Sequence, residues 1–212
     1  MTREELIKKV ALKMDEISSS DDVIIPVGTG DNNPLYTQIN SLLNESINEV
    51  LLKSPIYRIT DQVTSLGSAT NGEIFNKARK TVKFSVPEDF IRLAYISFGE
   101  GKRIITDLAI EGDDVSKRQS NKFLVAKDEK PVAVLERTTN GRQIVCYSFA
   151  AVPTTKNGYY VKRYDSTVSD ETGLSDYVID VVSWVCAGKV FSAQGDVTRS
   201  KICDENAVAL MV

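Results

Sequence analysis

Residues 85–98 read SVPEDFIRLAYISF, a proline and two adjacent acids set between two apolar runs. Two structures compete for that pattern: a helix start presenting a carboxylate pair for chemistry, or a corner where one β-strand gives way to the next. Proline has no amide hydrogen to donate and is confined to strand boundaries and edges, which favours the corner. Glu88 and Asp89 then stay hydrated in the turn. The chain leaves as an alternating strand, with Ile91, Leu93 and Tyr95 facing one side and Arg92 and Ala94 the other.

Outward from this corner the texture is β from about residue 56 to 165. KTVKFS (80–85), FIRLAYISF (90–98) and RIITDLAI (103–110) are expected strands. In residues 131–165, PVAVLERTTNGRQIVCYSFAAVPTTKNGYYVKRYD, Asn140-Gly141 separates two alternating runs, and this dipeptide suits the positive backbone angles of a tight hairpin. A second Asn-Gly at 157–158 introduces YYVKRY, so three consecutive strands are expected as a meander. Two polar, turn-rich stretches, TDQVTSLGSATNGEIFNKARK (60–80) and EGDDVSKRQSNK (111–122), are expected connections with a role of their own.

Helices flank this region. Thr2 and Glu5 fit a capping box, followed by Leu6, Ile7, Val10, Ala11, Met14 and Ile17 at helical spacing. A loop containing VGTGDNN (27–33) follows; it lacks the Gly-Lys-Ser/Thr ending of a nucleotide loop and reads as a flexible connection. Asn33 as cap and Pro34 at the first helical position start a second helix, striped by Leu35, Ile39, Leu42, Leu43, Ile47, Val50 and Leu51 and stopped by Ser54-Pro55. Near the end, Ser175 and Asp176 cap a helix that is apolar most of the way round: Tyr177, Val181, Trp184, Gly188 and Phe191 make one face, and Val178, Val182 and Val185 another. Gly195 closes it, and Asp196 caps a last helix continued by Cys203, Ala207 and Leu210. The expected class is α+β: helices at 1–55 and 174–212 pack together, with a mostly antiparallel β region at 56–173 inserted between them.

The chemistry-bearing residues are sparse. The 212 residues contain no histidine, which removes the commonest general base and metal ligand. Cys146, Cys186 and Cys203 lack CxxC spacing and read as buried thiols. Glu88-Asp89, Asp113-Asp114 and Asp170-Glu171 are sequence neighbours, and neighbouring side chains diverge in both strands and helices. They read as solvated turn residues, and an acid-only hydrolase built on Asp107 or Asp113 is the least favoured reading. No metal, cofactor or catalytic group is expected. Twenty-six basic and 29 acidic residues give a net charge of −3, which argues against a protein that grips nucleic acid over a large basic face. Lys77, Arg79, Lys80 and Lys83, near Phe75 and Phe84, form a small basic-aromatic cluster that reads as a strand edge or, alternatively, a DNA contact. Tyr159, Tyr160 and Tyr164 read as sheet packing. No apolar run approaches the roughly 18 residues a membrane helix needs, and the charged start MTREELIKKV is not expected to act as a secretory peptide.

Taken in order, two N-terminal helices, VPEDFIRLAYISF, GRQIVCYSFAAVP, GYYVKRYDS, and the helix LSDYVIDVVSWVCAGKVFSAQGD with a shorter helix after it resemble the head-to-tail adaptor, or connector ring, proteins of short-tailed bacteriophages. The layout is most similar to the ring proteins that extend the portal in crAss-like gut phages. The resemblance covers most of the chain and rests on layout, with no catalytic signature. It implies a structural protein of the virion, made in the host cytoplasm and assembled as a homo-oligomeric ring of twelve copies. Its implied neighbours are the portal and adjacent tail or ring proteins, with double-stranded DNA passing non-specifically through the channel and no membrane involved. On that reading Tyr177, Trp184, Phe191, Leu210, Met211 and Val212 are candidate assembly contacts, and Lys77, Arg79 and Lys80 candidate channel contacts. The stretch at 61–82 is longer than a minimal adaptor needs. The all-round apolar helix at 177–191 and the sheet edges want covering, which neighbouring copies or the N-terminal helices of the same chain would supply. The alternative is a non-viral adaptor or ligand-binding module acting through its polar connections.

Overall fold

The computed structural model describes residues 1–17, 34–75, 79–99, 101–139, 141–165 and 172–211. In chain order they form helices α1 (Arg3–Ile17) and α2 (Pro34–Lys53), then strands β1 (Val63–Ser65), β2 (Thr70–Ile74), β3 (Arg79–Ser85), β4 (Phe90–Ser97) and β5 (Leu108–Ile110). A short helix α3 (Asp114–Gln119), strands β6 (Val132–Thr138), β7 (Gly141–Phe149) and β8 (Asn157–Lys162), and helices α4 (Asp176–Ala193) and α5 (Val197–Met211) follow. The fold is α+β and divides into two compact units. Met1–Gln62 with Arg163–Val212 make a helical unit, and Val63–Lys162 make a β unit that interrupts it in sequence.

In the helical unit the caps do what the residue types predict. Thr2 Oγ1 accepts from the Glu5 amide (3.2 Å) while Glu5 Oε2 accepts from the Thr2 amide (2.8 Å), so two orphan donors of α1 are satisfied reciprocally. Ser175 Oγ accepts from Val178 N, and Asp196 Oδ1 accepts from Arg199 N at 3.0 Å to start α5 after Gly195, whose φ is +83°. The expected cap at Asn33 lies outside the described residues. Leu6, Val10, Ala11 and Met14 of α1 and Ile39, Leu43, Ile47, Val50 and Leu51 of α2 are buried, leaving Ile7, Leu35 and Leu42 half-buried at the margins of their stripes.

The all-round apolar helix α4 is covered within its own chain. Eleven of its 18 residues are buried, and α1, α2 and α5 all pack against it. The case for neighbouring copies as its cover therefore lapses, because the chain's own helices meet that demand. Gly188 permits the closest approach: a Cβ there would sit 3.1 Å from Cys203 Cβ and from Asp204 Oδ1 of α5. Polar contacts fix the azimuth of α4. Lys189 bonds Glu45 (2.5 Å) and Glu49 (2.8 Å) of α2, Lys9 of α1 bonds Asp180 (2.5 Å), and the Lys13 ammonium lies 4.8 Å from the Trp184 ring centroid. Asn48 of α2 holds the chain as it returns from the β unit, its Oδ1 accepting from Tyr164 N (2.9 Å) and its Nδ2 donating to Tyr164 O (3.4 Å).

The β unit contains two small sheets, ordered β1-β8-β4 and β2-β3-β7-β6-β5. All strand pairs are antiparallel except β5 with β6. Both sheets contribute to one core, with Val82, Phe84, Ile144, Cys146 and Phe149 from one and Phe90, Leu93, Ile96 and Tyr160 from the other. The corner at 85–98 is a turn in which Phe90 N donates to Pro87 O at 3.2 Å.

Several expectations need correction. Ile91, Leu93 and Tyr95 do not share one face: β4 is bulged at Phe90/Arg92 and at Leu93/Tyr95, so Phe90, Leu93 and Ile96 reach the core instead. Asp89 is not simply hydrated, since it accepts a hydrogen bond from Tyr160 Oη at 2.9 Å. The β6–β7 hairpin forms, but its closing pair is Thr138–Gly141, which makes Gly141 (φ +121°) the first residue of β7; Asn140 lies outside the described residues. There is no three-strand meander, because β8 leaves β7 to pair with β4 and β1, where Tyr159 meets Tyr95 and Tyr160 stacks on Phe90. RIITDLAI is not one strand: Ile105 makes an isolated bridge to Ile96, and β5 begins only at Leu108. The stretch at 60–80 is more than a connection, because it supplies β1 and β2. The 111–122 connection contains α3.

Gly158 of the second Asn-Gly pair serves packing instead of a turn. A Cβ there would lie 2.9 Å from Leu66 Cδ1 and 3.1 Å from Phe84 Cε1, both in the core. Gly158→Ala is expected to lower the unfolding free energy by about 1–3 kcal/mol through overpacking. Asn157→Ala, on the exposed side chain before it, stays within about 0.5 kcal/mol. Urea unfolding of both variants measures the difference.

Candidate functional site

The three cysteines and two of the tyrosines are held in structural roles. All three cysteines are buried as free thiols. Burial pushes the Cys186 thiol up to about 11 and the Cys203 thiol up to about 12, and raises that of Cys146 further, so each stays protonated and unreactive near neutral pH. Tyr160 is likewise raised to about 12, by burial first and then by its bond to Asp89. Tyr147 is raised by burial and by donating to Glu136, which also accepts from Gln143 Nε2 at 3.3 Å across the β6–β7 ladder.

Among the described residues the candidate acids do not converge. Asp107 is exposed, and Asp113 Oδ2 accepts from Ile110 N at 3.1 Å, closing the turn into α3. Asp170-Glu171 lies outside the described residues. Among the described residues no group of three or more His, Cys, Asp or Glu stands where it could hold a metal.

The candidate contact residues fall in different environments. Phe191 is buried in its own helical unit, with the Arg199 guanidinium 5.9 Å from its ring centroid. Tyr177 is half-buried beside Arg58, and Trp184 half-buried beneath Lys13. Leu210 is exposed, Met211 half-buried, and Val212 outside the described residues. Of the basic cluster, Lys77 is outside the described residues, and Lys80 bonds Glu73 across the β2–β3 pair at 2.5 Å. Arg79 is half-buried at the start of β3, and its charge helps to lower the pKa of Asp128.

What the sequence reading missed begins one residue past its polar connection. Phe123 and Leu124 follow the stretch 111–122, and both are exposed, Phe123 at 91%. Lys117, Arg118, Lys122 and Lys127 around them are exposed too, and none is in an ion pair among the described residues. The segment is not loose. Gln119, buried, donates from Nε2 to Val115 O (2.8 Å) and accepts from Ala126 N (3.2 Å), while Asn121 accepts from the Phe123 amide through Oδ1 (2.9 Å) and from Val125 N through its carbonyl (2.9 Å). Local bonds thus hold the backbone that carries Phe123 in place, which lowers the ordering cost of a contact made there. The sequence signal was available: an apolar pair bracketed by cations, in a stretch with no strand alternation.

The far end of this segment is tied down by Asp128, which accepts from Lys102 Nζ (2.7 Å) and Ala150 N (3.0 Å). Partial burial pushes the Asp128 carboxyl up, but those hydrogen bonds and the Lys102 and Arg79 charges outweigh it and leave the pKa lowered. A lowered carboxyl stabilises the fold above its unfolded value, near about 4, and loses that contribution as pH falls through the folded value. Asp128→Asn is therefore expected to lower stability at pH 7. The gap to wild type should close progressively below about pH 4, as followed by denaturant titrations across the range.

No protein-family model matches the chain, and no curated protein matches it. No helix among the described residues is long and apolar enough to cross a membrane.

Proposed function

We propose that this chain is a structural subunit of a phage head-to-tail connector, a ring below the portal that joins the capsid to the tail and surrounds the DNA channel. The observation that carries the reading is the layout. Helices from both ends of the chain make one unit, a β unit interrupts them, and each stretch that carries the resemblance forms a defining element. VPEDFIRL is the turn into the bulged strand β4, GRQIVCYSF is β7, and GYYVK lies in β8. The run from Ser175 to Asp196 is the capped central helix with its glycine stop. Twelve copies, the portal and adjacent tail or ring proteins as neighbours, and DNA passing without sequence-specific contact belong to the same proposal, as does residence in the virion after assembly in the host cytoplasm. The chain's work in this role is to be rigid and to fit its neighbours, not to carry out chemistry.

A second reading, a non-viral binding module acting through the 111–122 connection, draws on the outward-facing Phe123 that continues it. One experiment separates the two. Cryo-EM and mass spectrometry of purified particles are expected to find this chain as a ring on the portal axis; its absence from the particle would overturn the connector reading and favour the module.

A further inference from the structure

We infer that the chain associates head to tail with a second copy of itself, the basic segment at 117–127 of one β unit seating on the outer face of α5 of the next copy. This rests on the ring reading and specifies which surfaces would close the ring.

Charge is segregated between the two units in a way the whole-chain value of −3 conceals. By sequence the helical unit carries 10 basic and 18 acidic residues and the β unit 16 basic and 11 acidic; among the described residues the helical unit has 10 basic and 13 acidic, a net charge of −3, and the β unit 15 basic and 10 acidic, a net charge of +5. Between copies, helical unit against helical unit and β unit against β unit both repel, whereas β unit against helical unit attracts. The attractive contact is therefore β unit on helical unit; made once between two copies it is heterologous and leaves one of each surface free to continue, the geometry from which rings are built.

The two surfaces are complementary in detail. On the β unit, Phe123 (91% exposed) and Leu124 (59%) stand among Lys117, Arg118, Lys122 and Lys127. An aromatic anchor ringed by cations is the composition of an energetic centre at a protein interface. On the helical unit, α5 buries Cys203 and Ala207 and turns the opposite side outward. That side presents Val197 (75% exposed), Ile202 (40%) and Val208 (59%), with Lys201 and Glu205 between them. Glu205 is only loosely engaged, its carboxylate 3.9 Å from Lys201. Apolar residues predominate where a solvent-facing helix surface would be polar, and a carboxylate sits within reach of an arriving lysine. Since α5 pairs with α4 through its other face, docking there leaves the helical core intact.

The test uses the full chain with Phe123→Cys and Val208→Cys and a short bis-maleimide cross-linker; the three native cysteines are buried and serve as the unreactive background. The double variant is expected to give a ladder of cross-linked species. A mixture of the two single variants should give dimers, and neither single variant alone should cross-link. In sedimentation velocity at about 50 mM salt, Lys122→Glu or Glu205→Lys is expected to weaken self-association about tenfold, and combining them to restore it. Double-variant cross-linking that stops at the dimer, or cross-linked dimers from one single variant, would show an isologous contact and overturn the proposal. A chain that stays monomeric up to about 100 μM, beyond the usual range of specific assembly, would overturn it as well. Oligomers that form without the ladder would overturn the docking surfaces while leaving the ring reading standing; absence of the chain from particles removes the ring reading itself. If Lys122→Glu abolishes binding of a labelled DNA duplex but leaves self-association unchanged, the segment belongs to nucleic acid and the proposal fails.

Discussion

A helix that is apolar on nearly every side is the constraint around which this chain is arranged. With Val178, Ile179, Val181, Val182, Val185, Ala187, Val190 and Phe191 all buried, α4 offers water little more than the edge that carries Tyr177, Asp180 and Trp184. It needs cover on three sides, and the cover comes from both ends of the sequence: α1 and α2 from the start, α5 from the finish. Bringing chain ends together across about a hundred intervening residues costs loop-closure entropy, but that cost grows only logarithmically with the length between them. A β unit can therefore occupy the interval with little penalty, provided its exit is anchored. Asn48 provides such an anchor by bonding both backbone groups of Tyr164.

Inside the β unit the governing constraint is the fitting of two small sheets to one core. A regular β4 would have sent Phe90 and Leu93 to opposite faces. The bulges at Ile91 and Ala94 break the alternation, so that Phe90, Leu93 and Ile96 can meet Phe84 and Tyr160. Gly158 works to the same end from the opposite strand, bringing the β8 backbone down onto Phe84 and Leu66 where any side chain would hold it off.

How much of this was legible follows from which signals are local. Caps depend on a few neighbouring residues, so Thr2 with Glu5, Ser175 and Asp196 could be read directly, as could the helical stripes. The Pro87 corner and the β6–β7 hairpin were legible for the same reason. Strand pairing is non-local, and nothing within AAVPTTKNG states that β8 will abandon β7 for β4. Period-2 alternation was the right template for β4 and still gave the wrong face, because a bulge leaves no mark in composition. The edge strand β2, TNGEI, carries no strand signal, because both its faces are largely exposed and its sequence has no apolar side. For the candidate site, the polar connection was noticed but ended at Lys122, one residue short of Phe123. The charge segregation was invisible to a whole-chain count, because the two units nearly cancel, and it becomes readable only when the unit boundaries are known.

The split origin of the helical unit also bears on how the molecule is made. A ribosome releases the chain from its first residue, so α1 and α2 emerge with their apolar stripes exposed and wait for α4, encoded more than a hundred residues later. The β unit is continuous and can fold as soon as β8 has cleared the tunnel. The polar contacts that orient α4, Lys9 to Asp180 and Lys189 to Glu45 and Glu49, need α4 and so cannot form before it is made. Synthesis thus completes the inserted part before the enclosing part, so a polypeptide truncated before α4 would carry the whole β unit alongside two helices that lack the cover α4 gives them.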